Sequence, residues 1–191
     1  METKQMFIGE YINKNPRQRI AQLLDNYGDF RRYREHYKRN VVELMEAIRE
    51  YNIRPSEEDL GVRVQTTGGT SNITASKAIE RMALEECFEN RKISKEMFED
   101  PEELRLISTA VYEWDLMTRE FKVLNTFVKQ IKPKDRSIYL FYLKGEKGFE
   151  DIAKDLDIEY ESARKRVYRI RKALIKEALP WFDEYKISVP A

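Results

Sequence analysis

Seven basic residues crowd into thirteen positions of this chain: Arg164, Lys165, Arg166, Arg169, Arg171, Lys172 and Lys176, with no carboxylate among them. Threaded through them are Ala163, Val167, Ile170 and Leu174, at the gaps of four, three and four that mark one face of an α-helix. Such a helix buries its apolar seam and holds its cations outward, where guanidinium and ammonium groups can meet phosphates. Tyr160 and Glu161 stand at its expected start, and with Arg164, Lys165 and Tyr168 they form the outward set of the N-terminal turns. Arg164 could donate two parallel hydrogen bonds to guanine, and Glu161 could accept from a cytosine amino group. Arg166, Arg169, Arg171 and Lys172 suit phosphates or neighbouring acidic side chains, contacts that position a helix without reading sequence. Lys172 and Lys176 also complement the dipole at the far end of their own helix.

Covalent chemistry has no comparable foothold. The one cysteine, Cys87, excludes an intramolecular disulfide and a multi-cysteine zinc site, and the one histidine, His36, lies far from it in sequence. Gly68–Gly69 is not followed by the Lys-Ser/Thr pair of a phosphate loop. The many carboxylates, such as Glu85–Glu86 and Glu102–Glu103, are spread along charged helical faces. No enzymatic activity, cofactor or metal is therefore expected.

The elements that must position the basic helix lie just before it. Phe149-Glu150-Asp151-Ile152-Ala153-Lys154-Asp155-Leu156 reads as a short helix with Ile152, Ala153 and Leu156 on one face. Leu156-Asp157-Ile158 makes the turn. Further upstream, Pro133 starts a helix with the apolar set Ile138, Leu140, Phe141 and Leu143, and Gly145 stops it. Three helices joined by short turns are the minimum that can bury a small core around a helix-turn-helix.

Residues Ile131–Leu179 resemble the promoter-reading region four of bacterial sigma factors, especially the extracytoplasmic-function branch. The likeness is carried by Phe149-Glu150-Asp151-Ile152-Ala153, by Leu156-Asp157-Ile158, and by Ala163, Arg164, Arg166, Val167, Tyr168, Arg169, Arg171 and Leu174. Ala153 fits the point where the two helices cross closely. Asp157 stands where many helix-turn-helix proteins have glycine, and Glu159 where Ser or Thr usually caps the second helix. The resemblance implies binding to double-stranded promoter DNA and a contact with RNA polymerase. Nothing upstream matches the polymerase-binding and promoter-melting helices of a sigma factor. The layout of the whole chain instead resembles phage and prophage late-gene regulators of the RinA and ArpU type, which implies a sigma-like transcriptional activator of a phage or mobile element.

The expected fold class is all-α, in four segments. Residues 1–60 form an N-terminal helical region, with Pro16 opening a helix that carries Ile20, Leu23 and Leu24, followed by Val41, Leu44, Met45 and Ile48. Residues 61–74, rich in Gly, Thr, Ser and Asn, form a linker. Residues 75–131 form a helical connector with a stripe of Ile79, Met82, Ala83 and Phe88, then a long helix near 102–131 with Trp114 as a core anchor. Residues 132–182 form the sigma-like domain. The Arg- and Tyr-rich run at 29–40 could touch a nucleic-acid backbone, but a solvated helix face with aromatic residues at its rim is the commoner arrangement. Over 191 residues the net charge is only +1, so attraction to a polyanion must be local. No apolar run is long enough to span a bilayer, and the first residues lack a secretory leader's pattern, so a cytoplasmic location is expected. Reading paired half-sites would call for a homodimer, for which residues 10–60 and 102–131 offer helices but no sustained heptad. The alternative is a helical adaptor that binds polymerase or another protein without reading DNA.

Overall fold

The computed structural model describes residues 8–53, 73–98 and 100–183, and all the regular structure in them is helical. In chain order the helices are α1 (Pro16–Asp25), α2 (Phe30–Ile53), α3 (Ile73–Asn90), α4 (Pro101–Gln130), α5 (Pro133–Leu143), α6 (Phe149–Leu156) and α7 (Tyr160–Asp183), with a 3₁₀ turn at Lys95–Met97. The all-α expectation holds. The expected linker at 61–74 lies outside the described residues except for its last two, which already belong to α3.

Two compact units emerge. One combines Met1–Glu35 with Glu113–Ala191, and the other is His36–Tyr112. The long helices α2 and α4 contribute residues to both.

The first unit is built from locally encoded helix ends. At α1, the Gln18 N–H donates to the Asn15 side chain at 2.9 Å and the Asn15 N–H donates back to Gln18 at 3.1 Å. Pro16, which has no N–H to satisfy, fills the first helical position. The buried face of α1 is Ile20, Leu23 and Leu24, and α1, α5 and α6 all pack on α7. The α7 side chains that go inside are Ala163, Val167, Leu174, Ala178 and Phe182. In α5 the interior positions are Tyr139 and Leu143, whereas Phe141 is exposed and Ile138 and Leu140 are half-buried. That corrects the expected face by one position: an aromatic ring with a polar tip fills the core site. Gly145, at φ 69°, ends α5, with its own N–H donating to the Tyr142 carbonyl at 3.0 Å and the Glu146 N–H to Phe141 at 2.9 Å.

Gly28, between α1 and α2, matters for a different reason. A Cβ there would lie 2.8 Å from the Lys144 Cα and 3.1 Å from the Leu143 carbonyl oxygen, so only glycine lets this turn lie against the end of α5.

Two buried carboxylates fasten the N-terminal segment to α4. Glu113 and Glu120 are each 1% exposed. Glu113 accepts the backbone N–H groups of Gly9 at 2.8 Å, Tyr11 at 2.5 Å and Ile12 at 3.2 Å. Glu120 accepts from the Tyr11 hydroxyl at 2.5 Å and from Arg19, whose nearest nitrogen is 2.9 Å away. Arg19 also donates to the Phe182 carbonyl at 2.8 Å and the Lys14 carbonyl at 3.2 Å. Burial pushes the Glu120 carboxyl above its ordinary value, although its hydrogen bond with Tyr11 and the Arg19 charge pull the other way. Burial and the neighbouring Glu120 charge likewise hold the Tyr11 hydroxyl well above its usual range.

In the second unit the core comprises Tyr37, Val41, Val42 and Met45 of α2, Leu84 and Phe88 of α3, Phe98, and Ile107, Ala110 and Val111 of α4. The expected α3 stripe is corrected here. Phe88 is buried, but Ile79 and Met82 are 69% and 70% exposed and Ala83 faces solvent. Burial of Leu84 and Phe88 sets the rotation of α3, and Lys77 paired with Glu50 at 2.8 Å and Arg81 with Glu46 at 3.0 Å are compatible with it. The helix end carries Arg91 at φ 57°, with the Lys92 N–H donating to Cys87 at 2.9 Å. Cys87 itself is a half-buried free thiol.

Trp114, in the first unit, is the expected core anchor. Its indole N–H donates to the Arg34 carbonyl at 3.3 Å, and the Arg34 guanidinium lies 4.9 Å from its ring centre. Of the residues at 29–40, Phe30 and Tyr37 are buried, Arg32 pairs with Asp29, and Lys38 pairs with Glu89 at 2.7 Å.

Candidate nucleic-acid interface

The basic helix is held by a sharp reversal of the chain. Gly148 precedes α6, and the Asp151 carboxylate accepts its N–H at 3.1 Å, where a negative charge also favours the helix N-terminus. Ile152 and Ala153 are buried, as expected. At the other end Asp157 takes the left-handed conformation, φ 51° and ψ 50°. Its N–H donates to Lys154 at 3.3 Å, and the Ile158 N–H reaches back to Ala153 at 3.0 Å. Asp is among the few non-glycine residues that visit this region readily, so the side chain found here is compatible with the turn it makes. The first turn of α7 then closes on the Glu159 carbonyl, which accepts from Ser162 at 3.0 Å and Ala163 at 3.1 Å. Ala153 and Ala163 are both buried where α6 packs on α7, and both are small.

The nine candidate contact residues divide into two groups. Tyr160, Glu161, Arg164, Lys165, Tyr168, Arg169 and Lys172 face solvent. Arg166 and Arg171 are turned inward and are half-buried. The Arg166 guanidinium holds Asp135 of α5 at 2.8 Å, and Arg171 holds Asp25 of α1 at 2.8 Å while donating to the Ala21 carbonyl at 3.5 Å. Their charges are spent within the first unit. Of the outward cations, Arg164 pairs loosely with Glu161 at 3.4 Å, and its guanidinium sits 5.6 Å from the Tyr168 ring centre.

The open cleft between α6 and the start of α7 is lined by Glu150, Ala153, Lys154, Asp157, Ile158, Glu159 and Tyr160. Three carboxylates against one ammonium make it unsuited to a phosphate. Among the described residues no cluster of His, Cys, Asp and Glu could hold a metal, and no helix is long and apolar enough to cross a membrane.

One feature of this surface is not visible from charge spacing. Phe149, half-buried at the start of α6, stacks on Tyr142 with centroids 5.0 Å apart and meets Tyr160 edge-on at 6.0 Å and Tyr168 at 5.9 Å. Tyr160 and Tyr168 remain 46% and 48% exposed. Phe149 and Tyr160 each open a helix of the turn, but no apolar period or charge spacing links them. Compared with known family models, curated proteins and solved structures, the chain matches none.

Proposed function

We propose that this chain is a sequence-specific DNA-binding transcriptional regulator that lays the N-terminal turns of α7 in the major groove of promoter DNA. The supporting observation is the seven-residue solvent face of α7, which carries Arg164, Lys165, Arg169 and Lys172 opposite a buried apolar seam and follows a left-handed turn. A helix held at such a turn by a short partner helix is the geometry that groove reading needs. In this reading Arg164 and Glu161 meet base edges, while Arg169 and Lys172 meet phosphates. A sigma-like activator of a phage or mobile element, touching RNA polymerase through the same module, is the finer form of the proposal and rests on the resemblance of residues 131–179. The test is selection of bound fragments from a random duplex library, followed by shift assays with Arg164→Ala/Lys165→Ala. Loss of the selected-site shift with an unchanged circular dichroism spectrum is expected; equal affinity of the double variant for its selected site refutes the assignment.

A second reading, a helical adaptor, is favoured by Ile79 and Met82, two large apolar side chains left in solvent on α3 beside Glu86 and Glu89. It requires a protein partner that Ile79→Ser/Met82→Ser no longer retains on a column, with DNA affinity untouched.

A further inference from the structure

Tyr160, Arg164 and Tyr168 are spaced four residues apart, so their side chains follow one another along a single face of α7 over about 12 Å of helix. Three flat groups, two phenol rings and a guanidinium, thus form a row. Phe149 supports it, within ring-contact distance of both tyrosines and itself backed by the stacked Tyr142 ring. Arg164 is within cation–π distance of Tyr168. Roughly half of each tyrosine is open to solvent, an uncommon exposure for side chains whose ring bodies gain from burial.

An intact duplex does not use such a row fully. Its bases offer only their edges in the grooves, and their faces are occupied by the neighbouring base pairs. Unpaired bases offer faces, and aromatic rings and guanidinium planes are the groups that stack on them. Lys165 and Arg169, both exposed, each follow a row residue by one position, so they lie together along one side of the row, where the backbone of bases lying on it would meet cations. Glu161, next to the row, is paired with Arg164, and Glu150, Asp157 and Glu159 line the cleft on the Tyr160 side, so the positive rim lies toward Lys165 and Arg169. The charge of the rim and the planarity of the row point to the same ligand.

We infer that the Tyr160–Arg164–Tyr168 row on Phe149 is a stacking site for unpaired nucleobases, so that the module favours DNA in which a duplex is locally opened. The inference rests on the DNA-binding reading above and adds a ligand class to the same face. It needs three fluorescein-labelled probes for the full chain: a paired 20-bp duplex, the same duplex with a three-nucleotide unpaired bulge, and a single-stranded oligo-dT of 20 nucleotides. Anisotropy titrations should show the bulged duplex bound at least about fivefold more tightly than the paired one, and oligo-dT bound measurably, since base–aromatic stacking corresponds to about 5- to 150-fold per base. The bulged-to-paired affinity ratio should fall close to one in Tyr160→Ala/Tyr168→Ala and be retained in Tyr160→Phe/Tyr168→Phe, which keeps the rings and removes only the hydroxyls. A wild-type ratio of one with the paired duplex still bound overturns this inference alone and leaves the row to a protein partner. A ratio above one that the alanine pair does not lower also overturns it. No binding to any of the three probes overturns the DNA-binding reading together with it.

Discussion

Replacing arginines of α7 one at a time should separate those held within the first unit from those that, under the proposed function, meet DNA. The four outward cations are Arg164, Lys165, Arg169 and Lys172, and each one brought against the duplex displaces condensed counterions. At a slope of about −0.9 per neutralised charge, four give a slope of about −3.6 in log affinity against log salt, or roughly 150-fold lost between 50 and 200 mM. Arg169→Ala should flatten this to about −2.7, a loss of only about 40-fold over the same range. Arg166→Ala and Arg171→Ala should leave the slope near −3.6, because these guanidinium groups are held by Asp135 and Asp25 and release no DNA counterions. Their cost appears in stability instead, and it is small, since partly exposed ion pairs contribute little. The assay is fluorescence anisotropy on one labelled duplex across a salt series, with urea denaturation of each variant alongside. If Arg166→Ala flattens the slope as much as Arg169→Ala, the guanidinium leaves Asp135 for DNA, and the division of the basic residues drawn here is wrong.

Three further expectations concern what holds the first unit together. Gly28→Ala drives a methyl group into the backbone of Lys144 and should cost about 1–3 kcal/mol, read as a lower urea midpoint with an unchanged slope; an unaltered midpoint would mean that the turn moves away freely. Tyr139→Phe should stabilise the protein by about 1 kcal/mol in thermal and urea unfolding, because the Tyr139 hydroxyl is buried with no hydrogen-bond partner among the described residues. Arg19→Met removes the cation from buried Glu120 and should cost about 3–5 kcal/mol at neutral pH. The sign of its pH dependence follows from the carboxyl, which already sits above its ordinary value and rises further without Arg19. A raised folded-state value stabilises below the unfolded-state value and loses that contribution as pH climbs through the folded one. The Arg19→Met protein should therefore lose stability more steeply than the wild type between pH 4.5 and neutrality; parallel curves would place the charge compensation elsewhere.

The helices announced themselves through short-range signals. Pro16 and Pro133 mark starts, Gly145 and Gly148 mark breaks, and the Ala163–Val167–Leu174 seam is buried as its spacing requires. These features depend on residues a few positions apart, where backbone sterics and helical period decide the outcome. What stayed hidden depends on partners far along the chain. Arg166 and Arg171 look like Arg169 in the sequence, yet Asp135 and Asp25 turn them inward. Periodicity identifies the apolar side of α3 only roughly, and the side that meets the core is that of Leu84 and Phe88, which leaves Ile79 and Met82 in solvent. The outward placement of Tyr160, Glu161, Arg164, Lys165 and Tyr168 was legible because α7 has one buried seam, and its opposite side follows from geometry. The aromatic support at Phe149 was not, because it joins two helices through a turn whose angle no local pattern specifies.

The junction of α1 with α7 bears on how such a chain can be rearranged by recombination or by design. Leu174, Ala178 and Phe182 of α7 are covered in a unit that includes α1, while Arg171 and the Phe182 carbonyl take their partners from Asp25 and Arg19. α7 is therefore not a portable cassette. Grafted elsewhere as residues 132–183, it would carry an uncovered apolar flank and an unpaired guanidinium, and any functional exchange between related chains must move the two ends of the sequence together.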